Sequence, residues 1–161
     1  MTIGVLSDTH IPSAAQKLPD AIFKAFKNVD MILHAGDITD ISVLDELNKL
    51  AKIEAVWGNM DAAETQKKLP AKRIFEIEGF KIGLIHGHGS PFRIINTVKN
   101  EFPEKMDVIV FGHSHAPVNE VRDGTLFFNP GSPTDRIFAK YNSYGILRLN
   151  KKVKGEIIRL R

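Results

Sequence analysis

Short polar clusters follow five of the apolar runs in this 161-residue chain, and each contains residues of the kind that bind metal ions. The clusters are Asp8-Thr9-His10, Gly36-Asp37, Gly58-Asn59-Met60-Asp61, His86-Gly87-His88 and Gly112-His113-Ser114-His115. They hold five of the six histidines, three aspartates and an asparagine. A short apolar run that ends in such a cluster is typical of a buried strand whose carboxyl end lies at a ligand site. The pattern therefore predicts a sheet protein whose polar loops meet.

Apolar spacing predicts alternating strands and helices in the first half of the chain. Strands are expected at 3–6, 31–33 and 53–57, with helices at 18–26 and 41–50. This order implies parallel pairing with right-handed crossovers. The second half is predicted to contain a helix at 94–102 and strands at 73–77, 81–85, 107–111, 118–121, 125–128, 144–149 and 153–160.

The element order predicts an α/β fold, namely a four-layer α/β/β/α sandwich in which two mixed sheets are flanked by helices. We find no repeat, low-complexity tract or linker, so one domain over residues 1–161 is expected. No apolar segment is long enough to span a bilayer, and the N-terminus resembles a strand rather than a signal peptide. We therefore expect no membrane association.

Composition narrows the chemistry of any metal site. The chain has no cysteine, which excludes disulfides and thiolate ligands and fits a cytoplasmic protein. The formal charge is +3, with lysine and arginine spread along the chain. Specific nucleic-acid binding is not expected, because it requires basic residues clustered on one face.

The polar clusters supply seven candidate ligands of mixed nitrogen and oxygen type. In an extended backbone, residues two apart point the same way, so Asp8 and His10 could share one ion, and His113 and His115 repeat this spacing. The remaining candidates are Asp37, Asn59 and His86. Mixed nitrogen and oxygen donors suit Mn, Fe, Ni or Zn better than Ca or Mg.

The ordered set of motifs resembles the calcineurin-like metallophosphoesterases, most closely their small, cap-less bacterial and archaeal phosphodiesterase branch. Asn129-Pro130-Gly131-Ser132 matches a stretch of that branch, and the retromer subunit of the same fold is also similar. The resemblance implies two divalent metal ions, with Mn preferred and Ni, Zn or Fe as alternatives. It assigns Asp8, His10 and His115 to one ion and Asn59, His86 and His113 to the other, with Asp37 bridging both.

The activity that the resemblance implies is hydrolysis of small phosphodiesters by a metal-bridging hydroxide, with Asn59 stabilising charge on the phosphoryl oxygens. Many family members carry a histidine, often proposed as the leaving-group acid, where this chain has Met60. We predict His88 as a substitute acid. A good leaving group, or protonation by water, would serve instead.

Two alternatives remain open. The chain could be a binding scaffold, as the retromer subunit is, although a scaffold needs no complete ligand set. A metallo-β-lactamase-like hydrolase is disfavoured because Ala116-Pro117 follows His115. The family commonly forms homo-oligomers, which leaves a dimer or larger assembly open. Outside the ligand set, we expect His34 to support Asp37 and Asp61 to cap the turn after it.

Overall fold

Ten strands and four α-helices lie within residues 1–160, the part of the chain that this computed structural model describes. The strands are β1 (Thr2–Leu6), β2 (Met31–His34), β3 (Lys52–Ala55), β4 (Lys72–Ile77), β5 (Phe80–Ile85), β6 (Val108–Val110), β7 (Val118–Arg122), β8 (Thr125–Asn129), β9 (Ser143–Leu149) and β10 (Val153–Arg159). The helices are α1 (Asp20–Ala25), α2 (Ser42–Asn48), α3 (Ala63–Lys68) and α4 (Ile94–Asn100). Short 3₁₀ turns follow α1 at Phe26–Asn28 and precede α4 at Pro91–Arg93.

The strands form two mixed five-stranded sheets, in the orders β10-β9-β1-β2-β3 and β4-β5-β6-β8-β7. Strands β1, β2 and β3 are parallel, and so are β5, β6 and β8. The remaining strands pair antiparallel at the edges, including the terminal hairpin β9–β10. These pairings confirm the predicted parallel first half, although β3 ends two residues earlier than expected.

Three apolar layers separate the elements and confirm the four-layer sandwich. The central layer lies between the sheets and joins side chains such as Val5 and Leu33 of the first sheet to Leu84 and Val110 of the second. A second layer packs the first sheet against α1 and α2, and a third packs the second sheet against α4. Alternating side chains of a strand enter opposite layers, so β1, β2, β6 and β8 are almost wholly buried, whereas only Ala55 of β3 is buried.

Helix α3 was absent from the sequence prediction. Its six residues are mostly polar and only Thr65 is buried, so no apolar period marks it. Its neighbours α1, α2 and α4 were predicted, with longer bounds, from apolar spacing. Within residues 1–160, no helix combines the length and apolar character needed to cross a bilayer.

Candidate metal centre

The seven predicted ligands come from loops that follow five strands. Asp8 and His10 follow β1, Asp37 follows β2, and Asn59 follows β3. From the second sheet, His86 follows β5 directly, and His113 and His115 follow β6. The carboxyl ends of parallel strands meet at one edge of a sheet, so packing the two sheets brings both sets of loops together.

The first group of donor atoms contains Asp8, His10 and His115. The Nε2 atoms of His10 and His115 lie 3.3 Å apart. Asp8 Oδ1 lies 3.4 Å from His115 Nε2 and 4.0 Å from His10 Nε2. Two donors that each lie about 2.1 Å from one ion are about 3–3.5 Å apart. His115 Nε2 has this spacing to both of its partners, and all three donor atoms lie within 4.8 Å of one another, so the group is a candidate metal site.

The second group lies beside the first and involves Asp37, His86, Asn59 and His113. Asp37 Oδ2 lies 3.3 Å from His86 Nε2 and 3.6 Å from His10 Nε2, so it faces histidines of both groups. Asn59 Oδ1 lies 3.1 Å from His86 Nε2 and 3.1 Å from His113 Nδ1. Asp8 Oδ1 is also 4.0 Å from His86 Nε2. Either carboxylate therefore reaches both groups.

Hydrogen bonds on the far side of three histidine rings orient them for metal binding. His86 Nδ1 lies 2.7 Å from the Ala35 carbonyl oxygen, and His113 Nε2 lies 2.9 Å from the Gly89 carbonyl oxygen. His115 Nδ1 lies 2.6 Å from Asp135 Oδ2. Carbonyl and carboxylate oxygens only accept, so each of these nitrogens carries hydrogen and the opposite nitrogen faces the cluster. The donor set thus fits divalent transition-metal ions.

The backbone at these ligands is not extended, which corrects the sequence prediction for Asp8, His10, His113 and His115. Their φ angles are 53°, 43°, 69° and 54°, and Asp37 has φ 55°. Non-glycine residues in this left-handed region each cost about 1–3 kcal/mol, and such residues concentrate at functional sites. Five of the seven candidate ligands are held in this conformation, so the surrounding structure must stabilise it.

Distant hydroxyl groups supply part of that stabilisation. Ser132 Oγ donates to the Asp8 carbonyl oxygen at 2.7 Å, and Thr134 Oγ1 donates to the Thr9 carbonyl oxygen at 2.7 Å. Ser7 Oγ donates to Asp8 Oδ2 at 2.6 Å, which leaves Asp8 Oδ1 facing the histidines. Ser132, the last residue of the Asn129–Ser132 stretch, therefore contacts the backbone of the site.

Asp61 does not cap the following helix. The N-terminus of α3 has Ala62 at the capping position, and no side chain caps it. The buried Asp61 carboxylate instead accepts the N–H groups of Asp37, Ile38, Thr39 and Gly58, at 2.7–3.1 Å. Asp61 thus joins the loop that carries Asp37 to the loop that carries Asn59.

His34 lies fully buried behind the same loops. Its Nδ1 accepts the Gly36 N–H at 3.2 Å, and its Nε2 lies 3.1 Å from Thr9 Oγ1. Burial, followed by repulsion from His86, lowers the pKa of His34 to about 3, so the ring is neutral. It supports the backbone on either side of the ligands rather than touching the Asp37 carboxylate.

In the metal-free cluster, His86 and the nearby carboxylates shift each other's pKa. Burial by itself would lower the pKa of His86, but the hydrogen bond to Asp37 and the charges of Asp8 and Asp37 raise it to about 9. Burial by itself would raise the pKa of Asp37, but the His86 contact and the Met60 N–H hold it below its usual range. His86 is therefore an imidazolium at neutral pH in the metal-free protein.

His88 is not brought into the cluster. Its side chain is 64% exposed, and its Nε2 lies 3.0 Å from Glu101 Oε1. Arg93 and Arg136 also do not line the cleft above the ligands. Asp135, in contrast, lies at the site and was missed by sequence analysis because it follows no apolar run. The only sequence signal near it is the Asn129–Ser132 stretch.

The cleft above the ligands is open and has a volume of about 520 Å³. Ligand side chains line one part, and Met60, Ile137 and Phe138 line another. Among the described residues, no lysine or arginine lines it. The metal-binding cluster and the paired sheets together define an α/β metallohydrolase with an uncapped site.

Comparison with known proteins identifies the family. Residues 1–152 match the calcineurin-like phosphoesterase superfamily domain, and the chain belongs to that family. It is 43% identical to a "Probable metallophosphoesterase" of Methanothermobacter thermautotrophicus, over 99% of this chain and 92% of that protein. It is 31% identical to a phosphodiesterase of Methanocaldococcus jannaschii, over 98% of this chain and 99% of that protein.

Solved structures agree with the fold. A structure described as "a Novel Archaeal Phosphodiesterase" is 28% identical and has a TM-score of 0.77, covering 99% of this chain and 100% of its own. Vps29 of Entamoeba histolytica, at 23% identity and a TM-score of 0.78, covers all of both chains and supports the fold alone. The protein is therefore a metal-binding hydrolase of the metallophosphoesterase type.

Proposed function

We propose that this protein is a dinuclear metal-dependent phosphodiesterase that acts on small phosphodiesters. The observation that carries the proposal is the convergence of seven nitrogen and oxygen donors. Three of them belong to histidine rings that are oriented by a hydrogen bond on the side facing away from the site. Asp8, His10 and His115 would hold one ion and Asn59, His86 and His113 the other, with Asp37 between them. Two ions bound there would stabilise charge on the phosphoryl oxygens and lower the pKa of water.

The reaction adds water to phosphorus and breaks one phosphorus–oxygen ester bond, giving a phosphomonoester and an alcohol. The proton lost by water balances the one gained by the alcohol. We expect the neutral Asn59 side chain to stabilise charge on a phosphoryl oxygen by donating from its Nδ2 amide. Met60 cannot donate a proton, and His88 as the leaving-group acid stays a prediction. Esters with good leaving groups need no such acid, so we expect them to react fastest.

The diester preference is supported by the charge of the cleft. A diester carries one negative charge and a monoester carries up to two at neutral pH. Apart from bound metal ions, the cleft offers no lysine or arginine for the second charge within residues 1–160. The relative from Methanocaldococcus jannaschii is described as a phosphodiesterase, which agrees with this preference.

Manganese is the metal we expect, with Ni, Zn or Fe as alternatives, because the donors mix imidazole with carboxylate and amide oxygen. We also propose one metallophosphoesterase domain over residues 1–161, since the first and last strands contribute to one central apolar layer. A cytoplasmic location and a homo-oligomeric state stay predictions.

The test uses metal-stripped protein supplied with Mn, Ni, Zn, Fe or Mg in turn. Bis(p-nitrophenyl) phosphate and p-nitrophenyl phosphate are compared as diester and monoester. We expect diester hydrolysis that is lost in Asp37→Ala and His113→Ala and is retained in Asp40→Ala, whose carboxyl lies outside the cleft. His88 is tested on a diester with a poor alkoxide leaving group: slower hydrolysis of that diester in His88→Ala, with bis(p-nitrophenyl) phosphate hydrolysis unchanged, would support His88 as the acid, and unchanged hydrolysis of both would exclude it.

Full activity of Asp37→Ala or His113→Ala would contradict the dinuclear mechanism. A preference for the monoester would contradict the assigned substrate class. The scaffold alternative gains support only if metal-loaded protein hydrolyses neither ester, because nothing in a scaffold role requires the oriented donor set.

A further inference from the structure

Three large apolar side chains are exposed at the metal cleft. Met60, Ile137 and Phe138 are 60%, 82% and 77% exposed, and all three line the cleft. Apolar surface grouped beside a polar site is typical of ligand-binding surfaces. We propose that these residues, the apolar wall, bind an aromatic ester group, so that the preferred substrates are phosphodiesters in which the retained ester group, the one that does not leave, is aryl. This inference rests on the proposed phosphodiesterase activity and names its substrate class.

The apolar wall is fixed to the metal ligands by Asp135. The Asp135 carboxylate accepts the N–H groups of Ile137 and Phe138, with Ile137 N to Oδ1 at 2.8 Å and Phe138 N to Oδ2 at 3.0 Å. The same carboxylate accepts the Nδ1–H of His115. The ring of Phe138 meets the His115 ring edge-on, with centroids 5.9 Å apart. One carboxylate therefore positions both a metal ligand and the residues beside it.

Met60 is tied to the cluster from another loop. Its N–H donates to Asp37 Oδ1 at 2.8 Å, which fixes its backbone beside the carboxylate that faces both ligand groups, and Met60 lines the cleft with Asp37. A phosphoryl group held by the ions would therefore have apolar side chains near its ester oxygens. An aryl ester group gains from leaving water for such a surface, while a methyl group has too little area to gain much.

The test compares two diesters that share a leaving group. The substrates are p-nitrophenyl phenyl phosphate and p-nitrophenyl methyl phosphate, and the measured quantity is the phenyl-to-methyl ratio of kcat/KM. We expect Phe138→Ala and Ile137→Ala to lower this ratio, by about tenfold for Phe138→Ala. The control Val121→Ala removes an apolar side chain that is 67% exposed on β7 outside the cleft, and the ratio should not change.

The ratio isolates the apolar wall from other effects. Intrinsic reactivity cancels because each variant is compared with the unmodified protein, and damage to the metal centre lowers both rates together. Binding without turnover gives a second readout. Phenylphosphonate should inhibit more strongly than methylphosphonate, and Phe138→Ala should reduce this difference.

The outcomes separate this inference from the proposed function. If both diesters are hydrolysed but the ratio is unchanged in Phe138→Ala and Ile137→Ala, the proposal that the apolar wall binds an aryl group is wrong. The proposed phosphodiesterase activity is then unaffected. If metal-loaded protein hydrolyses neither diester, the proposed function fails. In that case the binding of phenylphosphonate and methylphosphonate to the metal-loaded protein still tests the role of the apolar wall. Equal binding of the two would contradict aryl binding by the wall. Tighter binding of phenylphosphonate that is lost in Phe138→Ala would support it.

Discussion

Replacing Asp61 by asparagine should destabilise the protein strongly, although the two side chains have nearly the same shape. Asp61 Oδ1 accepts the N–H groups of Ile38 and Thr39 at 2.8 and 2.7 Å, and Oδ2 accepts those of Asp37 and Gly58 at 3.1 and 2.8 Å. Asparagine has one acceptor oxygen, so its NH₂ group would face two N–H donors. Only one pair of hydrogen bonds can survive.

The magnitude follows from those two lost bonds. A buried donor without a partner costs about 1–3 kcal/mol, so the free energy of unfolding should fall by about 4 kcal/mol in Asp61→Asn. For a chain of this length, 1 kcal/mol corresponds to about 2–4 °C in Tm, so Tm should fall by about 8–16 °C. Asp61→Ala should be destabilised as well, because it leaves all four donors without the carboxylate.

Urea unfolding of metal-free protein at pH 7 measures the effect. Trp57, the only tryptophan, adjoins Gly58 and reports on this loop by fluorescence. The matched control is Asp40→Asn, since the Asp40 carboxyl accepts one N–H, from Ser42 at 2.9 Å, and an amide oxygen can replace it. We expect the control to lie within about 0.5 kcal/mol of the unmodified protein. A similarly small loss in Asp61→Asn would refute the assignment of all four acceptor contacts.

Three further predictions concern metal loading, measured by isothermal titration calorimetry with Mn²⁺. Asp135→Ala should weaken metal binding by about 10–100-fold because a ligand's orienting partner is lost; unchanged affinity would contradict that role. Gly112→Ala should weaken it at least about tenfold, since the added Cβ would overlap Ser7 Oγ and crowd Asp8 Oδ2. Because the pKa of His86 is raised to about 9, binding at pH 7.5 should release this ring's proton. The contribution of His86 to affinity should then rise about tenfold per pH unit up to about pH 9, and pH-independent affinity would contradict it.

The ligands could be predicted from the sequence because of their residue types. Each motif is weak alone, but the ordered set of histidines and aspartates after apolar runs allowed Asp37, His86 and His113 to be predicted without coordinates. The parallel strands were predictable for the same reason, because almost every residue of β1, β2 and β6 is apolar and buried.

Backbone conformation at the ligands could not be predicted in this way. The positive φ angles of Asp8 and His10 depend on acceptor and donor groups far along the chain, such as Ser132, which is 124 residues from Asp8. Local sequence favours an extended backbone there, and tertiary hydrogen bonds override that preference. Asp135 was missed because its N–H partners at Ile137, Phe138 and Ala139 suggest only a turn, and its contact with His115 joins residues 20 positions apart.

Charge pairing within the metal-free cluster explains how this site can fold before it binds metal. The Asp8 and Asp37 carboxylates are buried, and both face the Nε2 atoms of His10 and His86. An unpaired charge in such a region is costly. The raised pKa of His86 places one imidazolium between them at neutral pH. The imidazolium offsets part of the cost of burying the carboxylates, so the cluster can fold before divalent cations bind. In the metal-free protein, the proton on His86 thus supplies positive charge of the kind that a bound metal ion would supply.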